Sequence, residues 1–446
     1  MFGKNVGIFS VVGAAFHQFT LFSLFAFSNI CKKLEKDDSK NINKLHGANE
    51  TLIFFLSPIC SIYMCIFCFF GGAVVRRIGT HFTIIAGCIS ICLSSFLLRI
   101  TTSIYMDFVV IIFYGIGFGI SMTSAVSNAC KYFPKNRGLI TSICGGLGGN
   151  LGSALCNFIN ARWDAYEYLT FHIIFMLVGT ILAVGFITNF QESAMDNPIT
   201  NDSDNKTEPL TKSLEVDENK KNENNTPYNN EDDIPTADQI AIIGEQQAEL
   251  EIILKHWRIY FILLIFFCTC FVQGFIMTVG FTYGSEFIAT NHVEGRKSMG
   301  LVFTIMSLTG CIAGPIWGFV HDKLEFQKTL MLVNILSMCN SALIGVTKNS
   351  IISFGFSVIF NGSLNSGAFS MIFPHVSKVF GFKYAGEMYG IVVLSTGISS
   401  LIASILLRVV FQKIEQCLNV FFIGSFLNLI GFGLCFFEND EKFLSL

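Results

Sequence analysis

Stretches of apolar residues, free of Asp, Glu, Lys and Arg, recur along the chain and are separated by short polar segments. They run over approximately 6–30, 51–70, 82–98, 108–129, 138–160 and 168–190, and then over 259–285, 299–320, 329–347, 350–376, 388–407 and 418–437. About 20 apolar residues in a helix cross the hydrocarbon of a bilayer, and a helix satisfies its own backbone polar groups there. The pattern therefore predicts twelve membrane-spanning helices. The first stretch begins at residue 6 without a cleavage-site pattern, so it is expected to stay as a helix and not to leave as a signal peptide.

Six spans, a long polar segment and six more spans suggest a duplication. Gly72-Ala-Val-Val-Arg76-Arg77 after span two aligns with Gly318-Phe-Val-His-Asp322-Lys323 after span eight, at an offset of 246. Lys131-Tyr-Phe133 after span four aligns with Lys378-Val-Phe380 after span ten, at an offset of 247. Glycine-rich stretches open the next helix in both halves, Gly145 to Gly152 in one and Gly386, Gly390 and Gly397 in the other. The expected domains are an N-terminal six-helix half (1–190), an acidic disordered central loop (191–256) and a C-terminal six-helix half (257–446). A pseudo-twofold axis along the membrane normal would relate the halves.

Composition removes a soluble alternative. Of 446 residues, 52% are hydrophobic and 14% charged, against about 25% charged in soluble domains, and the mean hydropathy is +0.57. The net charge of −3 divides unevenly, because residues 191–255 hold 16 of the 32 acids and 5 of the 29 basic residues. Such a segment buries too little apolar area to fold, although 237–255 has the pattern of an amphipathic surface helix. The remaining chain is basic, as loops facing an anionic leaflet tend to be, and nothing calls for a nucleic-acid partner. Lys and Arg are nearly balanced between the two sides, so charge alone does not orient the bundle. The 15 cysteines lie mostly in apolar stretches, where they read as small packing residues; Cys31 and Cys417 alone flank spans in positions that allow a bridge to be considered.

Two loop types carry specific chemistry. In Gly71-Gly72…Arg76-Arg77-Ile-Gly79, small residues allow close helix approach, and the arginines can bridge to a carboxylate of a neighbouring span in one conformation only. In Lys131-Tyr132-Phe133-Pro134-Lys135-Asn136-Arg137-Gly138-Leu139, Pro134 ends a helix while Lys135 and Arg137 hold the turn at the interface. With the duplication, these loops resemble those of the major facilitator superfamily, and the resemblance covers the chain apart from 191–256. Gly72, Arg76 and Arg77, with Gly318, Asp322 and Lys323, are similar to its gating loop motif, except that Arg76 stands where the family places an acid. Tyr132-Phe133-x-Lys135-x-Arg137-x-Leu139 resembles a signature of monocarboxylate porters. The stretch Val379-Phe380-Gly381…Gly386-Glu-Met-Tyr389-Gly390 resembles oxalate/formate antiporter relatives. The branch's acid–glycine–aromatic start, its helix-eight arginine and aspartate, and its lysine before the glycine matching Gly397 have no counterpart here, where Thr396 takes the last position.

The resemblance implies an all-helical carrier working by alternating access. Its expected cargo is a small monocarboxylate such as lactate or pyruvate, with a proton as partner. Both termini and the central loop would be cytosolic, in a plasma or organelle membrane. The spans carry no charge at mid-membrane, so the candidate cargo or proton groups are polar: His17 and Gln18 in span one, and Gln273 in span seven. To these are added Asn128, Asn361, Asn365 and Thr396, and Arg408 at a helix end. A histidine becomes a cation only while it holds a proton, which would couple an anion to a proton; alternatively His17 makes one interhelical hydrogen bond. The charge-free cores equally suit a neutral or zwitterionic solute such as an amino acid. A non-transporting sensor is a third reading. No phosphate-binding glycine loop with a lysine, nucleophile–base pair or metal-spaced cluster stands out, so no enzyme, cofactor or metal is expected.

Overall fold

The structure is a computed structural model and describes residues 2–23, 27, 50–101, 103–160, 162–188, 250–280, 284, 292–346, 351–406 and 417–438. Contacts group 1–190 with 248–446 as one compact unit. The central loop lies outside the described residues as far as 249, and Leu250–Lys255 is a short helix before span seven. The Cys31 end of the considered bridge is also outside.

Each of the twelve apolar stretches carries helix among the described residues. Two helical stretches, Glu50–Ile100 and His292–Val346, have 51 and 55 residues. That is more than twice the roughly 20 residues that cross a bilayer's hydrocarbon. Each is therefore two spans, and each breaks at one residue: Gly79 (φ 81°, ψ 168°) between spans two and three, and Glu325 (φ 68°, ψ 167°) between spans eight and nine. These two residues are themselves 246 apart. The repeat extends to the turn's bracing, since Thr83 Oγ1 donates to the Gly79 carbonyl at 2.7 Å and Thr329 Oγ1 to the Glu325 carbonyl at 2.7 Å.

The other spans are Phe2–Leu21, Ile104–Tyr132, Arg137–Asn160, Ala165–Phe186, Trp257–Phe275, Ile351–Val379, Ala385–Ile405 and Cys417–Cys435. Span five is π-helical from Ser142 to Gly149, and span seven continues as a π-helix over Ile276–Gly280. Wide turns of this kind often mark functional segments of a helix. Span six starts with a reciprocal cap, in which Glu167 N donates to Asp164 Oδ1 at 2.7 Å and Asp164 N to Glu167 Oε2 at 3.4 Å.

Apolar runs understate the buried charge. Asp107, Arg258, Glu387 and Glu438 are 0–3% exposed, and each stands one residue outside an expected span. His375, whose position beside Lys378 at a helix end suggested an interfacial side chain, is 1% exposed. The reason is packing: its ring lies flat on Phe326, with centroids 3.6 Å apart.

Candidate functional site

Two seams join the halves. Along one, span two meets span eleven; along the other, span five meets span eight. Glycines set the separation, because a Cβ on Gly386 would lie 3.1 Å from Gly72 Cα, and one on Gly146 would lie 3.1 Å from Gly314 Cα. Farther along, Ser153 Oγ and Ser307 Oγ are 3.3 Å apart across the second seam, and Asn150 Nδ2 donates to Ser366 Oγ at 3.1 Å. Across the first, Cys65 Sγ is 3.6 Å from Thr396 Oγ1.

Both seams are latched at the end of the bundle that bears residue 2 and the span-six and span-twelve exits. At the first seam, Arg76 forms an ion pair with Glu387, and its Nη1 donates to the Lys383 carbonyl at 2.9 Å. The side chain of Glu387 is 1% exposed and that of Arg76 35%. At the second seam, Asp322 accepts from the backbone N–H groups of Gly138 (3.2 Å) and Leu139 (3.1 Å) at the start of span five. A helix start carries partial positive charge and unpaired N–H groups, so both seams place a carboxylate at a helix N-terminus. Span eleven supplies its own acid, and loop two–three answers with a base. Span five has none in its first turn, and loop eight–nine supplies it.

The other loop residues divide by contact. Arg137 reaches the C-terminal half, with Nη1 donating to Ser377 Oγ at 3.2 Å and its guanidinium 4.8 Å from the Phe382 ring centre. Lys323 lies over Phe319 of its own helix at 5.6 Å. Arg77 and Lys135 are exposed.

Between the seams lies a cavity of about 180 Å³, lined by spans one, two, four and five of one half and seven, eight, ten and eleven of the other. Its walls are apolar and aromatic at Phe22, Phe118, Phe369, Phe373 and Tyr389. No Asp, Glu, Lys, Arg or His is among the described residues that line it. The polar lining includes Gln18, Gln273, Asn365 and Thr396 of the expected candidates. Gln18 and Gln273 are each the seventeenth residue of their helix, spans one and seven being the first of each half. Gln18 Nε2 donates to the Met122 carbonyl at 2.6 Å. Asn365 Oδ1 accepts from Cys270 Sγ at 3.6 Å.

Four lining residues hold a buried side-chain oxygen with no hydrogen-bond partner: Gln18 Oε1, Thr123 Oγ1, Gln273 Oε1 and Ser400 Oγ. Leaving such an atom unpaired costs about 1–3 kcal/mol. Thr123 and Ser400 were missed by the sequence reading. Isolated Ser and Thr are ordinary in membrane helices, and only the helix rotations show which ones face inward.

The remaining candidates lie elsewhere. His17 packs against span four, with Nε2 3.2 Å from the Ser121 carbonyl, and is not among the lining residues. Asn128 sits at the latched end, donating to the Thr188 carbonyl at 2.7 Å. Asn361 is 4% exposed and also outside the lining. Arg408 falls outside the described residues.

A duplicated, multi-pass helical bundle with a polar chamber between its halves has the architecture of a solute carrier. Residues 4–157, 42–404 and 262–444 match the sequence profile of the Major Facilitator Superfamily, and the chain belongs to that superfamily. It is an integral membrane transporter, not an enzyme. Similar solved structures include the human organic anion transporter MFSD10 (TETRAN), 14% identical, with a TM-score of 0.60 over 97% of this chain and 99% of that one. The proton:xylose symporter XylE bound to 6-bromo-6-deoxy-D-glucose is also 14% identical, with a TM-score of 0.69 over 99% and 98%. At these identities the likeness is one of fold. No curated protein matches the chain.

Proposed function

We propose that this transporter carries a small uncharged, hydrogen-bonding solute by alternating access, and that the described conformation is the one closed at the latched end. The observation that carries the reading is the lining itself, with amides and hydroxyls but no Asp, Glu, Lys, Arg or His among the described residues of its aromatic walls. A bare monocarboxylate, the cargo suggested by the loop signature, would bury its charge there without a cation. Burying an unpaired ion costs several kcal/mol, so the lining favours the neutral alternative. The amides of Gln18, Gln273 and Asn365 and the hydroxyl of Thr396 suit a cargo that carries hydroxyl or amide groups. The latched end is assigned to the cytosol on the superfamily resemblance; proteolysis of the central loop only after permeabilisation would support that orientation.

The test is a thermal-shift panel on purified protein in nanodiscs, comparing polyols, sugars and neutral amides with lactate and pyruvate, followed by counterflow in liposomes with each hit. Neutral solutes should stabilise the protein and exchange, and Gln273→Ala should weaken binding roughly tenfold, as for one lost hydrogen bond. Stabilisation and exchange by lactate or pyruvate alone would overturn the reading.

A further inference from the structure

Where span six leaves the membrane, Thr188 is held by neutral groups. Its carbonyl accepts from Asn128 Nδ2 (2.7 Å), Ser10 Oγ (2.9 Å) and Tyr132 OH (3.2 Å). Where span twelve leaves, Glu438 is held by ions. Arg258 donates to Glu438 Oε1 from Nε at 3.0 Å and Nη2 at 2.8 Å, and His375 Nε2 lies 3.3 Å from the same oxygen. His375 and Asn128 are 247 residues apart, the offset that relates spans four and ten. All three members of the ionic cluster are at most 3% exposed.

The span-six exit is therefore anchored through backbone carbonyls, with His81 Nε2 also 2.8 Å from the Ile187 carbonyl, whereas the span-twelve exit is anchored through a buried carboxylate. Buried ionic clusters are a poor route to stability, and a histidine is the side chain whose ordinary titration falls near neutral pH. The cluster is also connected to the gate. His375 stacks on Phe326 at 3.6 Å, and Phe326 directly follows the turn residue Glu325. His321 packs edge-on against the same Phe326, its centroid 6.5 Å away, and its Nδ1 lies 3.3 Å from Asp322 Oδ1.

We propose that His375 and Glu438 form a proton-binding site, with Arg258 as its fixed counter-charge, and that proton occupancy tightens the exit of span twelve and steadies the turn that carries Asp322. This deepens the carrier reading by giving the transporter a proton site remote from its cargo cavity. With His375 neutral, Glu438 is balanced by Arg258 alone; a proton taken from water on that side adds a second cation to the same carboxylate. The charged groups around the site are accounted for on each neighbouring element. Lys378 lies three residues along the same helix, Arg137 of span five engages Ser377, and Lys328 of span nine is exposed. Glu387 of span eleven is occupied by Arg76. Span seven contributes Arg258 itself, whose backbone N–H donates to His256 Nδ1 at 3.3 Å at the helix start, and span twelve the thiol of Cys435.

The experiment is hydrogen–deuterium exchange of the full chain in nanodiscs at about pH 5.5 and about pH 8, with labelling times scaled to intrinsic exchange. In the wild type, peptides covering 320–330 and 434–440 should be about fivefold better protected at the lower pH. His375→Asn, which rebuilds the arrangement of Asn128 in the other half, should fold and lose that pH difference, and Glu438→Gln should lose it too. A purely structural role would change protection equally at both pH values. A wild type without the pH difference, or a His375→Asn protein that keeps it, would overturn the proposal. Exchange needs no cargo, so failure of the neutral-solute panel with this pH response intact would sink the cargo reading alone.

Discussion

The two latches do the same job with opposite charges on their loops. At the span-five seam the loop brings Asp322 to bare backbone N–H groups. At the span-eleven seam the loop brings Arg76 to a helix that already holds Glu387 in its first turn. In both, the carboxylate ends at the helix start, where the backbone field favours it. What is preserved between the halves is thus the electrostatic product at the seam, not the residue in the loop. The substitution of Arg76 for an acid looks like a lost contact in sequence, whereas in the structure the loop still pairs across the seam with the charges exchanged.

The exchange makes the latches unequal, and their inequality can be broken. Arg76→Glu should have the largest effect, because it sets a second acid against a carboxylate that is 1% exposed. Disrupting a buried pair costs about 3–5 kcal/mol, and the partial exposure of Arg76 brings the expected loss nearer ~2–3 kcal/mol. Cross-linking between spans two and eleven at the latched end should fall accordingly. Asp322→Asn keeps the shape but removes the charge from a helix start, a loss of about 1 kcal/mol. Faster exchange of the Gly138 and Leu139 amides would report it.

The smallest effects concern the turns behind the latches. Gly79 and Glu325 share a backbone conformation that is nearly exclusive to glycine. A Cβ at Gly79 would meet nothing within 4 Å, so conformation, not space, requires the glycine there. Gly79→Ala should cost ~1 kcal/mol and Glu325→Gly should gain about as much. Thermal melts of the two variants should move in opposite directions.

The fold was largely legible, because a bilayer forces apolar runs and a duplicated loop repeats its glycine and charges at one offset. Half of the polar candidates reach the candidate cavity: Gln18, Gln273, Asn365 and Thr396 are rare polar residues in apolar helices, and they line it. The buried charges were not. Asp107, Arg258, Glu387 and Glu438 each sit immediately beside an apolar run, because a charge is what ends such a run. Counting runs consequently assigns to water the very groups that tertiary contacts bury at span ends. His17 was conspicuous for a different reason: a lone histidine in a span draws notice, yet helix rotation turns it toward span four and leaves its neighbour Gln18 on the cavity.

Alternating access requires the two seams to open together. Spin labels introduced as non-canonical amino acids at the exposed pairs Arg77/Lys383 and Lys135/Lys323 would follow one seam each, leaving the native cysteines untouched. Double electron–electron resonance should find a short and a longer distance population at both pairs, and Arg76→Glu should move both toward the longer one, although it touches only the span-eleven seam. A longer population at one pair with the other fixed, or a single short distance at both pairs in wild type and variant, would contradict the account.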